Sequence, residues 1–534
     1  MSYVLTVIGV GSHGGCDDAV GLHLVTLLAE SQSAGCGSGV DCVLWESADA
    51  LTLVHDLLEL ANPVLLVDCA DMGLAGGEWR AFVPGEGQLR LARDAVSTHG
   101  LGIAEALELA RGLGFSHALR VFGVQPFDLT PRIGLTAEMG ACLPVLFGAL
   151  AEEVKRLLPD PSICVPVDKP FDRPVLGLGI ETKSALALGR GDTIHLYGSF
   201  GDLGEPMRRV QMERAVDALL NGEDPPGVIV VDRHPDMFPG VLGRRLARER
   251  GLQLLEVQHH QAHAAACMAE HGLEHALALT FDGMGYGGDG TLWGAELLEV
   301  GRSGWLRLAT FAPVPLPGGD AAVRHPLRQL FSRLLDARVE INAAWQERLG
   351  ITPLESMVWS RQCRTGLQAP LTHAAGRLFD AFAAWLDLAP ACIAFEGEPA
   401  IRLQAVAESW QGEPLPAPLP FVGRMADGIW IIDWSGLFAM LPPEPPCVSD
   451  RPAWAYAFHL AVAAAMVEMA VSGADRCGVR DVVLSGGVFF NGLLRTLLVE
   501  RLEQAGLRVW VHRRIPTGDG GIAVGQVWLA GKVE

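Results

Sequence analysis

Gln258-His259-His260-Gln261-Ala262-His263-Ala264-Ala265-Ala266-Cys267-Met268-Ala269-Glu270 decides the fold of the larger part of this chain, read together with Leu279-Thr280-Phe281-Asp282-Gly283-Met284-Gly285-Tyr286-Gly287-Gly288-Asp289-Gly290-Thr291. The first stretch is rich in alanine and predicts a helix. His259 and His263 stand four apart on it, so their imidazoles share one face and can grip one metal ion. His260 points to another face and reads as structural. The second stretch predicts strand, glycine hairpin, strand, and bare amides at Gly285 and Gly287 can approach a phosphate closely. Ser485-Gly486-Gly487-Val488 repeats that logic after an apolar strand and ahead of a helix, and Gly518-Asp519-Gly520-Gly521 is a third such turn. Glycine turns alone mean only turns. Two of them beside a two-histidine helix and an aspartate at a strand end, Asp282, are much less common by chance.

The surrounding chain has an α/β texture. Strands are predicted at Val175–Ile180, Thr193–Ser199, Val228–Asp232, Ala276–Asp282, Thr291–Leu298 and Val482–Leu484, with helices such as Glu205–Leu220 and Ala453–Ser472 between them. At about 360 residues this part exceeds the usual size of one core, which predicts two lobes with a ligand cleft between them.

Upstream, residues 1–157 alternate between short apolar runs and amphipathic stretches. Strands are expected at Tyr3–Gly9, Asp41–Trp45, Val64–Asp68 and Leu119–Val124, and helices from near Asp17, Ala50, Gly102 and Ala137. That order predicts a doubly wound parallel sheet covered on both faces. Between the two parts, residues 158–173 hold Pro159, Pro161, Pro166 and Pro170 with little apolar periodicity and read as an extended spacer. The glycines Gly9, Gly11, Gly14 and Gly15 lead to Asp17 and Asp18 at a helix start. A dinucleotide site would place phosphates there instead of two aspartates, so that reading is weak. Asp18, Asp68 and His99 all fall at the carboxyl edge of the expected sheet, where ligands gather. One histidine with two carboxylates suits a divalent transition metal with open positions. The plain alternative stays open: Asp18 as helix cap, Asp68 as loop residue, His99 as surface group.

The 534 residues amount to about three to four domain-sized units. Apolar residues make up 49% and charged ones 19%, so this is a folded chain with large cores. The formal charge of −21 disfavours nucleic acid and anionic membrane surfaces as partners. No apolar run is expected to reach the roughly 18 uncharged residues of a membrane span, the best candidates being broken by Glu138 and by His459 with Glu468. The N-terminus lacks the basic lead-in of a signal peptide, and a cytoplasmic protein is expected. Eleven cysteines without any C-x-x-C pair indicate neither a disulfide framework nor a thiolate zinc site.

Two family resemblances sharpen these readings. Val-Ile-Gly9-Val-Gly11, Asp17-Asp18-Ala-Val-Gly21, Leu-Leu-Val-Asp68-Cys-Ala-Asp71, Ser97-Thr-His99-Gly, Gly123-Val-Gln-Pro126 and Pro131-Arg-Ile-Gly-Leu-Thr136 resemble the nickel–iron hydrogenase maturation endopeptidases of the HybD and HycI type. The resemblance implies that Asp18, Asp68 and His99 bind nickel presented by a hydrogenase large-subunit precursor, whose C-terminal tail is then cut off. That family often has Glu where Asp18 stands and Asn where Ser12 stands, and the shorter Asp18 retracts its carboxylate. A non-catalytic docking module is the alternative for this part.

Residues from about 174 to 534 resemble the C-terminal carbamoyltransferase domain of HypF, itself similar to TsaD and TobZ, in the actin-like ATPase superfamily. The resemblance is carried by Gly179-Ile-Glu-Thr-Lys183, Asp232-Arg-His234-Pro-Asp236, the histidine stretch, Pro315-Leu-Pro-Gly318-Gly319-Asp320, Gly376-Arg-Leu-Phe-Asp380, Phe395-Glu-Gly397-Glu398, Ser485-Gly-Gly-Val-Phe-Phe-Asn491 and Asp519-Gly-Gly. It implies metal ligation, by iron or zinc, at His259, His263, Asp282 and Asp519. It implies nucleotide contacts, to ATP or carbamoyl-adenylate, at Asp380, Glu398 and Asn491, beside the glycine loops of Gly285, Gly287, Gly486 and Gly487. Lys183 is the expected catalytic phosphate contact. The implied acceptor is the C-terminal cysteine of a HypE-like protein, the alternative being a small-molecule hydroxyl. The acylphosphatase-like, zinc and YrdC-like segments of full-length HypF are not recognisable here, so a separate source of carbamoyl-adenylate is expected. The expected whole is an endopeptidase-like domain fused to a two-lobed carbamoyltransferase domain.

Overall fold

The structure, a computed structural model, describes residues 5–12, 14, 16–33, 40–46, 53–54, 57, 63–82, 107, 110, 119–157, 163–222, 224–301, 304–412, 415 and 417–531. They form two compact units, one of residues 1–162 with 197–225, the other of residues 163–196 with 226–534.

In the first unit, β1 (Leu5–Gly11), β2 (Val40–Glu46), β3 (Val64–Cys69), β4 (Trp79–Phe82) and β5 (Leu119–Val124) lie in the order β2-β1-β3-β5-β4. All pairings are parallel except that of β4, which closes one edge antiparallel to β5. β1, β3 and β5 are largely apolar on both faces because both are covered, whereas the edge strands β2 and β4 are partly exposed. Ile8, Val10, Leu66 and Val121 join one core; Leu5, Val7, Leu65, Val67 and Phe122 join another against the helices Val20–Ser33 and Ala137–Leu157. β1 runs two residues beyond its expected end because its parallel pairing continues through Gly11 and Glu46. The glycine cluster follows from that packing. A Cβ on Gly11 would stand 2.1 Å from the Asp18 carbonyl oxygen, and one on Gly21 2.4 Å from those of Val10 and Val67. The helix expected from Asp17 starts as a 3-10 turn, Cys16–Ala19, and becomes α-helical at Val20. The helix starts expected near Ala50 and Gly102, and His99, lie outside the described residues.

The smaller sheet, which falls in the second unit apart from residues 197–201, contains β6 (Ile163–Pro166), β7 (Val175–Gly177), β8 (Ser184–Arg190), β9 (Thr193–Gly201), β10 (Val228–Asp232) and β11 (Gln253–Val257), ordered β11-β10-β7-β8-β9-β6. β6 falls inside the stretch read as a spacer; its extended backbone pairs antiparallel with β9 at the sheet edge, where prolines are tolerated. The larger sheet is built on β12 (His275–Tyr286), β13 (Leu292–Gly301), β14 (Gly304–Phe311), β17 (Val422–Ala426), β18 (Ile429–Asp433), β19 (Asp481–Ser485) and β20 (Arg508–Val511), ordered β17-β18-β14-β13-β12-β19-β20. The short strands β15 (Val314–Pro315) and β16 (Leu371–Thr372) pair beside β13. The helix His259–His271 packs against the helix Ile522–Ala530. Their approach is so close that a Cβ on Gly525 would lie 1.9 Å from the Ala262 carbonyl oxygen.

The helix Arg451–Cys477 corrects one expectation. By length and composition it is apolar enough to cross a membrane, because a single histidine or glutamate does not break a 27-residue helix. Of its most apolar window 67% is buried, and Phe458, Val462, Met466 and Met469 sit in the main core of the larger sheet, so its hydropathy is that of a core helix.

Candidate functional site

Four buried side chains converge in the second unit. The ligand atoms of His259, His263, Asp282 and Asp519 lie within 4.8 Å of one another. The helix His259–His271 supplies both imidazoles from one face, β12 supplies Asp282, and the turn Asp519–Gly521 supplies Asp519. Asp282 Oδ2 stands 3.3 Å from His259 Nε2 and 3.5 Å from His263 Nε2, which is also 3.5 Å from Asp519 Oδ1. The second oxygens are held from behind: Gly487 N–H donates to Asp282 Oδ1 at 3.0 Å, and the Thr182 hydroxyl donates to Asp519 Oδ2 at 2.7 Å.

Asp232, to which the sequence reading gave no role, completes the group. Its Oδ2 lies 3.1 Å from His259 Nδ1 and its Oδ1 accepts from the His234 N–H at 2.7 Å, with both side chains buried. The hydrogen-bond network thus assigns a proton to His259 Nδ1 and turns Nε2 toward the centre, an arrangement common behind metal-binding histidines. The local field favours positive charge. Burial opposes protonation of His259, yet Asp232 and Asp282 raise its pKa well above the ordinary range. Burial likewise opposes ionisation of Asp282, but the two imidazoles hold its carboxyl well below its ordinary range. His263 Nε2 and Asp519 Oδ1 are buried without a hydrogen-bond partner. Two imidazole nitrogens and two carboxylates, with unsatisfied atoms aimed inward, fit a divalent transition ion or zinc.

Asp282 also lines an adjoining cavity of about 160 Å³, together with Lys183, Gly283, Arg377, Asp380, Glu396, Gln404, Gly487, Phe490 and Asn491. Lys183 has a left-handed backbone, φ 46°, and its ammonium pairs with Glu396 at 3.5 Å. Burial works against that charge, but Glu396, Asp519 and Asp282 raise the pKa, so Lys183 keeps its proton and can neutralise an anion. Asp380 is buried 2.8 Å from the Arg377 Nε.

The structure brings Lys183, Asp282, Asp380, Gly487 and Asn491 to this cavity and leaves the other predicted contacts away from its lining. Gly285 backs the rings of His259 and His260, and Gly287 backs the Trp293 indole; their missing side chains serve packing. Gly486 supplies a backbone turn at φ 109°, pressed against Phe281. Glu398 accepts from the Ala394 N–H at 2.8 Å and pairs with Arg402 at 2.5 Å. Arg377, Glu396 and Gln404 had no role in the sequence reading: the first two stand inside the stretches Gly376–Asp380 and Phe395–Glu398, and all three come together only in the fold.

In the first unit, Asp18 and Asp68 face each other electrostatically. Burial first, then repulsion from Asp18, pushes the Asp68 carboxyl up to about 8, against the Cys69 N–H that donates to its Oδ1. Burial likewise raises Asp18. Such a pair is eased by a shared cation. His99, the third expected member, lies outside the described residues. Asp17 is structural: buried, it accepts from the backbone N–H groups of Phe127, Asp128 and Thr136 and from the Thr136 hydroxyl.

Comparison with known proteins decides the family. Residues 171–270 match the HypF Kae1-like domain, and residues 278–526 match the second subdomain of the carbamoyltransferase Kae1-like domain. A carbamoyltransferase HypF homolog from Cupriavidus necator is 35% identical over 366 residues, which cover 67% of this chain and 92% of that protein. The chain belongs to the HypF carbamoyltransferase family. It spans about half the length of longer HypF relatives: carbamoyltransferase HypF2 of the same organism is 36% identical, with 46% of its length matched. Full-length HypF solved in a phosphate- and nucleotide-bound form superposes on 69% of this chain and 57% of its own, at 26% identity and a TM-score of 0.62. The HypF-like part therefore has the two-lobed actin-like architecture. Residues 47–153 match the hydrogenase maturation proteases, so the chain joins a protease-like domain to the HypF-type domain.

Proposed function

We propose that this chain is a nickel–iron hydrogenase maturation factor whose HypF-like part transfers a carbamoyl group from carbamoyl-adenylate to the C-terminal cysteine of a HypE-like acceptor. The observation that carries the reading is Asp282, shared between the histidine–aspartate group and the Lys183 cavity. The acceptor sulfur attacks the carbamoyl carbon, a sulfur–carbon bond forms, and the carbon–oxygen bond to phosphate breaks. Adenylate leaves with that electron pair, and the thiol proton passes to solvent. Asp380 and Asn491 hold the nucleoside, while the protonated Lys183 offsets phosphate charge and is unsuited to act as a base. His259, His263, Asp282 and Asp519 would hold a divalent cation, which would supply further charge neutralisation to the transfer.

In the same reading the protease-like part recognises nickel, a feature of its substrate, at Asp18, Asp68 and His99 in the large-subunit precursor, and cuts the tail. Precursor bound but uncut would make this part a docking module. The protein acts in the cytoplasm, where these partners reside.

Intact mass of the acceptor tests the transfer, after incubation with this protein, ATP and carbamoyl phosphate, with and without a separate adenylate-forming module. A carbamoyl mass gain only with that module is expected. No gain in either case would overturn the acceptor assignment.

A further inference from the structure

His459 is a polar residue buried in the apolar helix Arg451–Cys477, flanked edge-on by Phe379 and Phe458 with ring centroids 5.5 and 6.2 Å away. A buried imidazole needs partners, and its partners form a chain whose direction is fixed. The Leu494 N–H can only donate, and it lies 2.9 Å from the Asn491 Oδ1. Asn491 therefore turns its Nδ2 toward His459 Nε2, at 2.9 Å, which must accept. The imidazole proton then sits on Nδ1, 2.7 Å from the Ala455 carbonyl oxygen, which can only accept. Every donor meets an acceptor in one arrangement and in no other.

We propose that His459 is a positioning residue for the nucleotide cavity, locking the amide of Asn491 so that it presents one fixed donor and acceptor pattern to the bound nucleoside. The inference rests on the reading above that Asn491 contacts the nucleotide. Asn491 lines the cavity, whereas His459 lies behind it with no exposed surface. Burial pushes the His459 pKa down to about 4, so the imidazole stays neutral and its Nε2 stays an acceptor. An apolar residue of similar size would preserve the core but leave the amide without its second anchor.

A double-mutant cycle on the full chain tests this, reading the Kd of a nonhydrolysable ATP analogue by calorimetry. His459→Leu and Asn491→Ala are each expected to weaken binding about 3- to 10-fold, and the double variant no more than Asn491→Ala alone. His459→Gln, whose amide oxygen can accept, should recover binding to within about 2-fold. Losses that add in the double variant, or unchanged binding by His459→Leu beside weak binding by Asn491→Ala, would overturn the positioning role and leave the nucleotide reading standing. Unchanged binding by Asn491→Ala would overturn both. Should His459→Leu not fold, nitrogen NMR of the unmodified protein decides: an Nδ1–H tautomer supports the role, and an Nε2–H tautomer overturns it.

Discussion

Asp232 shows how one carboxylate outside a ligand set can govern it. It offers one oxygen to His259 Nδ1 and the other to its own loop at His234, so the imidazole cannot rotate or change tautomer without losing a buried bond. Asp232→Asn keeps the shape but presents either a donor or a weaker acceptor. Divalent-metal affinity is expected to fall about 10- to 100-fold, read by metal content after dialysis against a weak chelator, with circular dichroism unchanged. Full retention of metal would reduce Asp232 to a loop anchor. That His259 and His263 share one helix face was legible from spacing alone, because a helix period of 3.6 puts residues four apart on one side. Asp232 was not: it stands 27 positions upstream on another element.

Among the elements, the turns after strands set the geometry, and their glycines divide into two kinds. Gly285 is glycine because another element presses on it; Gly11, at φ 153°, and Gly486 are glycine for that reason and for their backbone. At φ 109°, with a Cβ that would meet the Phe281 carbonyl oxygen at 2.2 Å, Gly486 has no room for a side chain. Gly486→Ala is expected to cost about 2 to 3 kcal/mol and to lower the Tm by scanning calorimetry. An unchanged Tm would show that β19 and its turn relax freely. The sequence pattern found half of the strands, since apolar runs bounded by turns are what a covered parallel sheet requires. β8 escaped it. Ser184-Ala-Leu-Ala-Leu-Gly-Arg190 is rich in alanine, a weak strand former, and becomes a strand because both its edges are paired, with β7 and β9, and all but its last residue are buried.

At the scale of the whole second unit, the histidine helix is tied at its far end to the segment that carries Asp519. Glu270, on the last turn of that helix, accepts from the Arg513 and Arg514 backbone N–H groups at 3.0 and 2.6 Å. Burial opposes its charge, yet His512 and those amides hold its pKa down at about 2. A carboxyl depressed in the folded state contributes stability that is present above its unfolded pKa and fades as pH falls through the folded one. Glu270→Gln is therefore expected to destabilise the protein by about 1 to 2 kcal/mol near neutrality, allowing for solvent screening, with the difference shrinking between about pH 4.5 and pH 2. Denaturant titration of both proteins across that range checks it; a difference independent of pH would assign the loss to packing.

The sequence by itself determined the two-part α/β architecture, the histidine pair, and the aspartates and glycine turns at strand ends, because helix period, strand alternation and turn chemistry are local properties. Only the tertiary structure decided which of those turns line the cavity and that Gly285 and Gly287 face histidine and indole rings instead. The same holds for Asp232 and His459, which stand behind His259 and Asn491, and for the apolar helix Arg451–Cys477, which is a core element. Those outcomes depend on which distant side chains are brought within a hydrogen bond's length, and no pattern confined to one segment encodes that.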